Sequence, residues 1–318
     1  MPATTPDTPI LHHYPLSPFS EKVRKVLGYK QMHWRSVQQP PVMPKPHQVA
    51  LTGGYRKTPV LQVGRDIYCD TKLICRVVDR LQPERPLIPA HLAAIAPMVE
   101  RWVDQTMFFQ TVALFFSPQG MAAFAQVVPP GLTVEGFMKD RGAMFAQGGT
   151  QPPPSIETAR AELPATLSSM QTQLGANPYL FGDAPTQVDF ALYNAVWFIW
   201  NNAGTRPELD PYPKVLAWVE RIRALGEGTP EEMSGEDAVA FCRACTRWQA
   251  PLPGAPLDLP QARVGDRVKI GATDYAPDLV EGELVIANAY EIAVRREDPQ
   301  AGTCVVHFPA EAFTLKKA

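Results

Sequence analysis

Four short stretches of this 318-residue chain carry side chains whose types and spacing could do chemistry. The first is Ser17-Pro18-Phe19-Ser20, which falls where a strand candidate, Ile10–Tyr14, gives way to Val23, Val26 and Leu27 at helical spacing. A hydroxyl at a helix start sits where free backbone N–H groups and the helix dipole favour negative charge. With serine at both ends of the x-x spacing, dithiol exchange at this point is chemically impossible. Two readings stand: Ser17 and Ser20 cap the helix, or Ser17 steadies an anion such as a thiolate. Ser20 and the strand-end Tyr14 are the alternative hydroxyls.

The second stretch is Tyr55-Arg56-Lys57-Thr58-Pro59-Val60-Leu61, a basic pair ahead of a proline that opens a strand. Proline has no N–H and is tolerated in a sheet chiefly at a first position or an edge. The third, Asp70-Thr71, lies where the next helix begins, so its backbone N–H groups are free to hold an anion. Asp70 is equally an ordinary N-cap. The fourth, Thr186-Gln187-Val188-Asp189, is a capping box whose task is folding. Other candidates carry less. His12 and His13 are adjacent in a strand and point to opposite faces, so they make no metal site. Cys242 and Cys245 have redox spacing but fall mid-helix among apolar residues and read as core, and Cys69 reads as a buried strand end. The run Met107-Phe108-Phe109 with Phe115-Phe116 lines an apolar pocket in part and is otherwise core.

The elements that must position these residues follow from periodicity. Residues 9–82 read β-α-β-α-β-β-α, a compact α/β domain. After the Gln82–Pro86 linker, residues 90–249 are helix-periodic almost throughout, and Val188–Trp200 is apolar nearly all round, as a central buried helix should be. Beyond the proline-rich 251–260 the period switches to two, in Val268/Ile270, Leu284/Ile286, Ile292/Val294 and Val306/Phe308. Residues 261–318 therefore predict a small all-β, barrel-like domain, with a single helical turn at 308–313, folding as a unit of its own.

Composition narrows the function classes. A net charge of −2 with pI near 6.3 makes no electrostatic case for nucleic acid. The last 59 residues carry seven Lys/Arg against nine Asp/Glu, so a basic nucleic-acid-binding barrel is excluded and a partner-binding or packing module fits. No run of about 18 apolar residues exists to span a membrane, and the first residues lack the pattern of a signal peptide. Five scattered cysteines argue against a disulfide framework and for a reducing cytoplasm.

The Ser-Pro-Phe-Ser segment, the Tyr55–Thr71 stretch and the Gly182…Thr186-x-x-Asp189 pattern together resemble cytosolic glutathione transferases, nearest to the serine-type bacterial classes, over residues 9–248. The resemblance implies a thioredoxin-like domain followed by an all-α domain. It implies glutathione as co-substrate, no metal, a hydrophobic electrophile as second substrate, a detoxifying transferase reaction, and a homodimer. It places the catalytic hydroxyl at Ser17 and a cis bond before Pro59. Thr58 would then pair through its backbone with the cysteinyl residue, and Lys57 would face the glycine carboxylate. Asp70 would bind the α-amino group and Thr71 the γ-glutamyl carboxylate. A non-catalytic ligand-binding or interaction protein on the same fold stands as the alternative, with the C-terminal β region free to take a protein partner.

Overall fold

The computed structural model describes residues 5–146 and 153–318. It opens with β1 (Pro9–His13), α1 (Pro18–Tyr29), β2 (His33–Gln38), α2 (Pro46–Thr52), β3 (Val60–Val63), β4 (Asp66–Cys69) and α3 (Thr71–Leu81), in the order that periodicity predicts. β1 runs parallel to β2 and antiparallel to β3, which pairs antiparallel with β4. Local chemistry sets the boundaries. Ser17 Oγ accepts from Ser20 N at 3.1 Å and Pro18 takes the first turn, so α1 starts there. Gly53, at φ 78°, supplies the left-handed residue that ends α2.

The helical part comprises α4 (Ile95–Trp102), a π-helical turn over Val103–Met107, α5 (Phe108–Phe115), α6 (Pro118–Ala125), α7 (Val134–Ala146), α8 (Ile156–Gln173), α9 (Gln187–Trp200) and α10 (Pro213–Arg223). Helical spacing over residues 92–116 predicts one long helix; it forms as two α segments joined by a π turn. The capping box forms: Asp189 Oδ2 accepts from Thr186 N and Oγ1, both at 2.9 Å, while its Oδ1 accepts from Trp218 Nε1 at 3.1 Å. α9 is the buried axis and is pinned to α1 by Tyr193 Oη donating to Glu21 Oε1 at 2.9 Å. α1 also meets α4 through the buried Lys22–Glu100 ion pair at 2.7 Å.

The chain then returns to the sheet. β5 (Thr229–Glu232) pairs parallel with β2, and α11 (Gly235–Ala244) buries Ala238, Val239 and Cys242. Sequence periodicity assigns α11 to the all-α domain; instead Ala238 packs with Ile10 and Val37, and its carbonyl accepts from Gln62 Nε2 at 3.0 Å.

The appended β region is present as β6 (Arg267–Ala272), β7 (Val280–Ala287), β8 (Glu291–Asp298), β9 (Gly302–Pro309) and β10 (Phe313–Lys317). It does not stand apart as a closed barrel. Its antiparallel order is β10-β6-β7-β8-β9, and β9 pairs parallel with β4 to give one ten-stranded sheet. The expected helical turn before β10 is a bend with Ala312 at φ 63°. One hydrophobic cluster spans both parts, joining Leu51, Val60, Ile67 and Cys69 to Val268, Ile270, Val294 and Val306. The alternating pattern cannot reveal this, because the outer edge of β4 and the free edge of β9 both read as ordinary strands. At the seam His307, fully buried and stacked on Tyr68 with ring centroids 4.4 Å apart, bonds Asp66 through Nε2 and Glu291 through Nδ1, each at 2.9 Å.

Candidate functional site

Where α1 begins, Ser17 faces a cavity of about 220 Å³ walled by Phe19, Phe108, Phe115, Phe137, Phe145 and Phe198. Its hydroxyl lies 3.5 Å from the Thr58 carbonyl and at the positive end of α1. The Thr58–Pro59 bond is cis. Of the alternative hydroxyls, Tyr14 also lines the cavity and accepts from Arg141 Nη2 at 3.3 Å. Ser20 is fully buried behind Ser17 and does not reach the cavity wall.

Four cations gather at the polar end: Lys45, Arg56, Lys57 and Arg141. Asp140 pairs with both arginines. Lys57 is paired with Asp274, from the loop between β6 and β7, and its ammonium sits 4.3 Å from the Tyr275 ring centroid. Lys45 differs. It is buried at the start of α2, donates to Thr58 Oγ1 at 2.7 Å and Arg56 O at 3.0 Å, and has no carboxylate partner among the described residues. Burial, with Arg141 and Arg56 adding repulsion, pulls its pKa down to about 7. It is the cation best placed to gain from an incoming carboxylate.

Asp70 caps α3, its Oδ1 accepting from Lys72 N at 2.9 Å, and holds φ at 73°, a strained region for a residue other than glycine. Burial raises its pKa and the nearby Asp274 adds to the rise. Thr71 Oγ1 accepts from the buried Lys22 Nζ at 3.2 Å. Behind it, Asp104 on the π turn has a buried Oδ1 with no hydrogen-bond partner among the described residues, and burial pushes its pKa up to about 7. The α3 start thus presents backbone N–H groups, with the Asp70 carboxylate beside them and adding to the upward shift of Asp104. This suits a zwitterionic amino-acid end.

Ser17, Tyr14, Lys57 and Thr58 therefore meet on one cavity, with Asp70 and Thr71 at the neighbouring helix start. Lys45, Arg141 and Tyr275 are the residues that sequence reasoning passes over. Lys45 had a faint signal as the residue ahead of the proline that opens α2. Arg141 and Tyr275 had none, since only the fold brings them in. Among the described residues no group of three or more His, Cys, Asp or Glu could hold a metal, and no helix is long and apolar enough to cross a membrane.

Comparison with known proteins supplies an independent line. Residues 11–86 match the family model "Glutathione S-transferase, N-terminal domain", and residues 153–221 match "Glutathione S-transferase, C-terminal domain". A GST-like protein from Pseudomonas syringae is 35% identical, with 98% of this chain covering 100% of that one at a TM-score of 0.80. That span includes the appended strands. A glutathione S-transferase from Rhodospirillum rubrum F11 is 18% identical over 68% of this chain and 88% of that one, at a TM-score of 0.50. The beta-etherase LigF from Sphingobium sp. strain SYK-6 is 16% identical over 68% and 95%, also at 0.50, a likeness of fold. A search of curated proteins found no match.

Proposed function

Because the chain belongs to the glutathione S-transferase family, we propose that it binds glutathione between Ser17 and Asp70 and activates the thiol for attack on an apolar electrophile. The observation that carries this is the Ser17 hydroxyl, held at the N-cap of α1 on the wall of an aromatic cavity. In this reading Asp70 takes the α-amino group, Thr71 and the α3 N–H groups take the γ-glutamyl carboxylate, and the backbone of Thr58, ahead of Pro59, pairs with the cysteinyl unit. Lys45 takes the glycyl carboxylate in place of Lys57, whose ammonium Asp274 already holds. The thiol releases its proton to solvent, the thiolate sulfur forms the new bond to carbon, and the leaving group departs with its electron pair. The acceptor lies among the phenylalanine rings.

The energetics are sufficient. A free thiol near pKa 8.5 is only a few per cent thiolate at pH 7. A shift of about two units needs roughly 2.7 kcal/mol. A hydrogen bond to a charged group supplies about 1.5–3 kcal/mol, and the helix start adds about 0.3–1 kcal/mol. Ser17→Ala should raise the pKa of the bound thiol by about one to two units and cut turnover by a similar number of decades. Glutathione affinity should change little. The thiolate's ultraviolet absorbance against pH reads the first effect, and conjugation of a chloroaromatic reads the second. An unshifted thiol in Ser17→Ala, with the loss appearing in Tyr14→Phe, would reassign the hydroxyl.

The Lys57–Asp274 pair favours a second reading, in which the protein holds glutathione or an apolar ligand without turning it over. Wild-type binding without reaction against any electrophile would select it. We further propose a cytoplasmic homodimer with a detoxifying role. Exposed Ile95, Met98 and Trp102 on one face of α4 support the dimer.

A further inference from the structure

The loop joining β6 to β7 is tied to two walls of the candidate site at once. Asp274 pairs with Lys57, and Asp278 Oδ2 accepts from the Arg56 N–H at 3.4 Å, which fixes the loop to the Tyr55–Thr58 turn. Ala276, fully buried at φ 46°, donates its N–H to Met144 O at 3.1 Å and so fixes the loop to α7. A non-glycine residue held in the left-handed region persists only where its surroundings over-determine it. Between these anchors Tyr275 lies on the cavity wall. Its ring is 5.3 Å from Phe145 and perpendicular to Phe109 at 6.0 Å, with the Lys57 ammonium against its face.

We propose that this loop is a built part of the acceptor pocket and that Tyr275 is a specificity-determining residue, selecting flat aromatic acceptors. The ring closes the cavity where the polar end meets the phenylalanine walls, so a ligand crossing that boundary must slide along it. A flat ring gains edge and face contacts there, and a bulky branched group meets the loop. The appended β region thereby contributes a residue to the site, a role distinct from docking a protein partner. The proposal rests on the acceptor half of the glutathione transferase reading but does not need the glutathione half.

The test uses the full chain with two probes, anilinonaphthalene sulfonate by fluorescence and glutathione by calorimetry. Tyr275→Ala should weaken the flat probe about fivefold to tenfold and leave glutathione within twofold. Tyr275→Phe, which keeps the ring, should restore probe binding, an outcome that loss of folding would not give. Unchanged probe binding in Tyr275→Ala, or equal losses for both probes, overturns the proposal. If the wild type binds the flat probe but not glutathione, the transferase reading falls, and the Tyr275→Ala result on the probe decides this one alone. If it binds neither, both fall.

Discussion

Replacing His307 with leucine tests the seam that joins the two halves of the sheet. The β4–β9 ladder has only three paired positions, Asp66↔Val305, Ile67↔Val306 and Tyr68↔His307. His307 clamps it by donating from both ring nitrogens, which requires the imidazolium. Both acceptors are buried, and each is held from behind: Asp66 Oδ2 by Gln249 N at 2.8 Å and Glu291 Oε1 by Leu252 N at 2.6 Å. Neither carboxylate can swing out to water, so the leucine variant leaves two buried acids without their cation. Breaking such a pair costs about 3–5 kcal/mol. The two lost charge-assisted bonds, at about 1.5–3 kcal/mol each, give the same scale. The pH dependence has a definite sign. Burial alone would lower the pKa of His307, but its bonds to Asp66 and Glu291 outweigh that and raise it. Its contribution is then complete below the unfolded value of 6.5 and is lost as pH rises through the raised folded value. Burial alone would raise the pKa of Glu291, but His307 outweighs it and the net shift is downward. That contribution is present above 4.5 and is lost as pH falls through the lowered value. The gap in stability between wild type and His307→Leu should therefore peak between 4.5 and 6.5 and narrow at alkaline pH. Urea unfolding followed by tryptophan fluorescence across pH measures it. A gap under about 1 kcal/mol, or one that stays flat as pH rises past neutrality, would refute the clamp.

Lys45→Gln should weaken binding of S-methylglutathione, which has no thiol to titrate, by about tenfold or more. Wild-type affinity should fall as pH rises through about 7, where the ammonium deprotonates, and the variant should show no such slope by calorimetry. Deleting everything after Pro260 should yield aggregated protein on size exclusion, because it bares the edge of β4 and removes half of a shared core. Met98→Glu places a charge amid the exposed face of α4 and should halve the mass seen by light scattering at micromolar concentration.

What could be read from the chain was local. The capping box at Thr186 and Asp189, the N-cap at Ser17 and the strand-opening Pro59 are contacts within a few residues, so the string itself carries them. The thioredoxin-like and helical parts followed from periodicity and resemblance, and both are present. The fusion of β9 onto β4 was not legible, since an edge strand that will be covered has the same alternation as one that will not. The same holds for the site. Lys57 reads as a free surface cation until the fold sets Asp274 against it, and Tyr275 reads as a loop tyrosine until the β6–β7 turn carries it to Phe109 and Phe145.

The parallel join between β4 and β9 also imposes an order on biosynthesis. Asp66 and His307 are 241 residues apart, so β4 leaves the ribosome long before its second neighbour has been made. At about 5–20 residues per second that interval is on the order of ten seconds to a minute. Throughout it the thioredoxin-like part presents a bare strand edge and the apolar side chains of Ile67 and Cys69 that the later strands will cover. The helical residues in between can settle meanwhile, because their contacts are mostly among themselves. The last step of folding is then the insertion of a nearly complete five-stranded sheet against a waiting edge, a non-local closure of the slow kind.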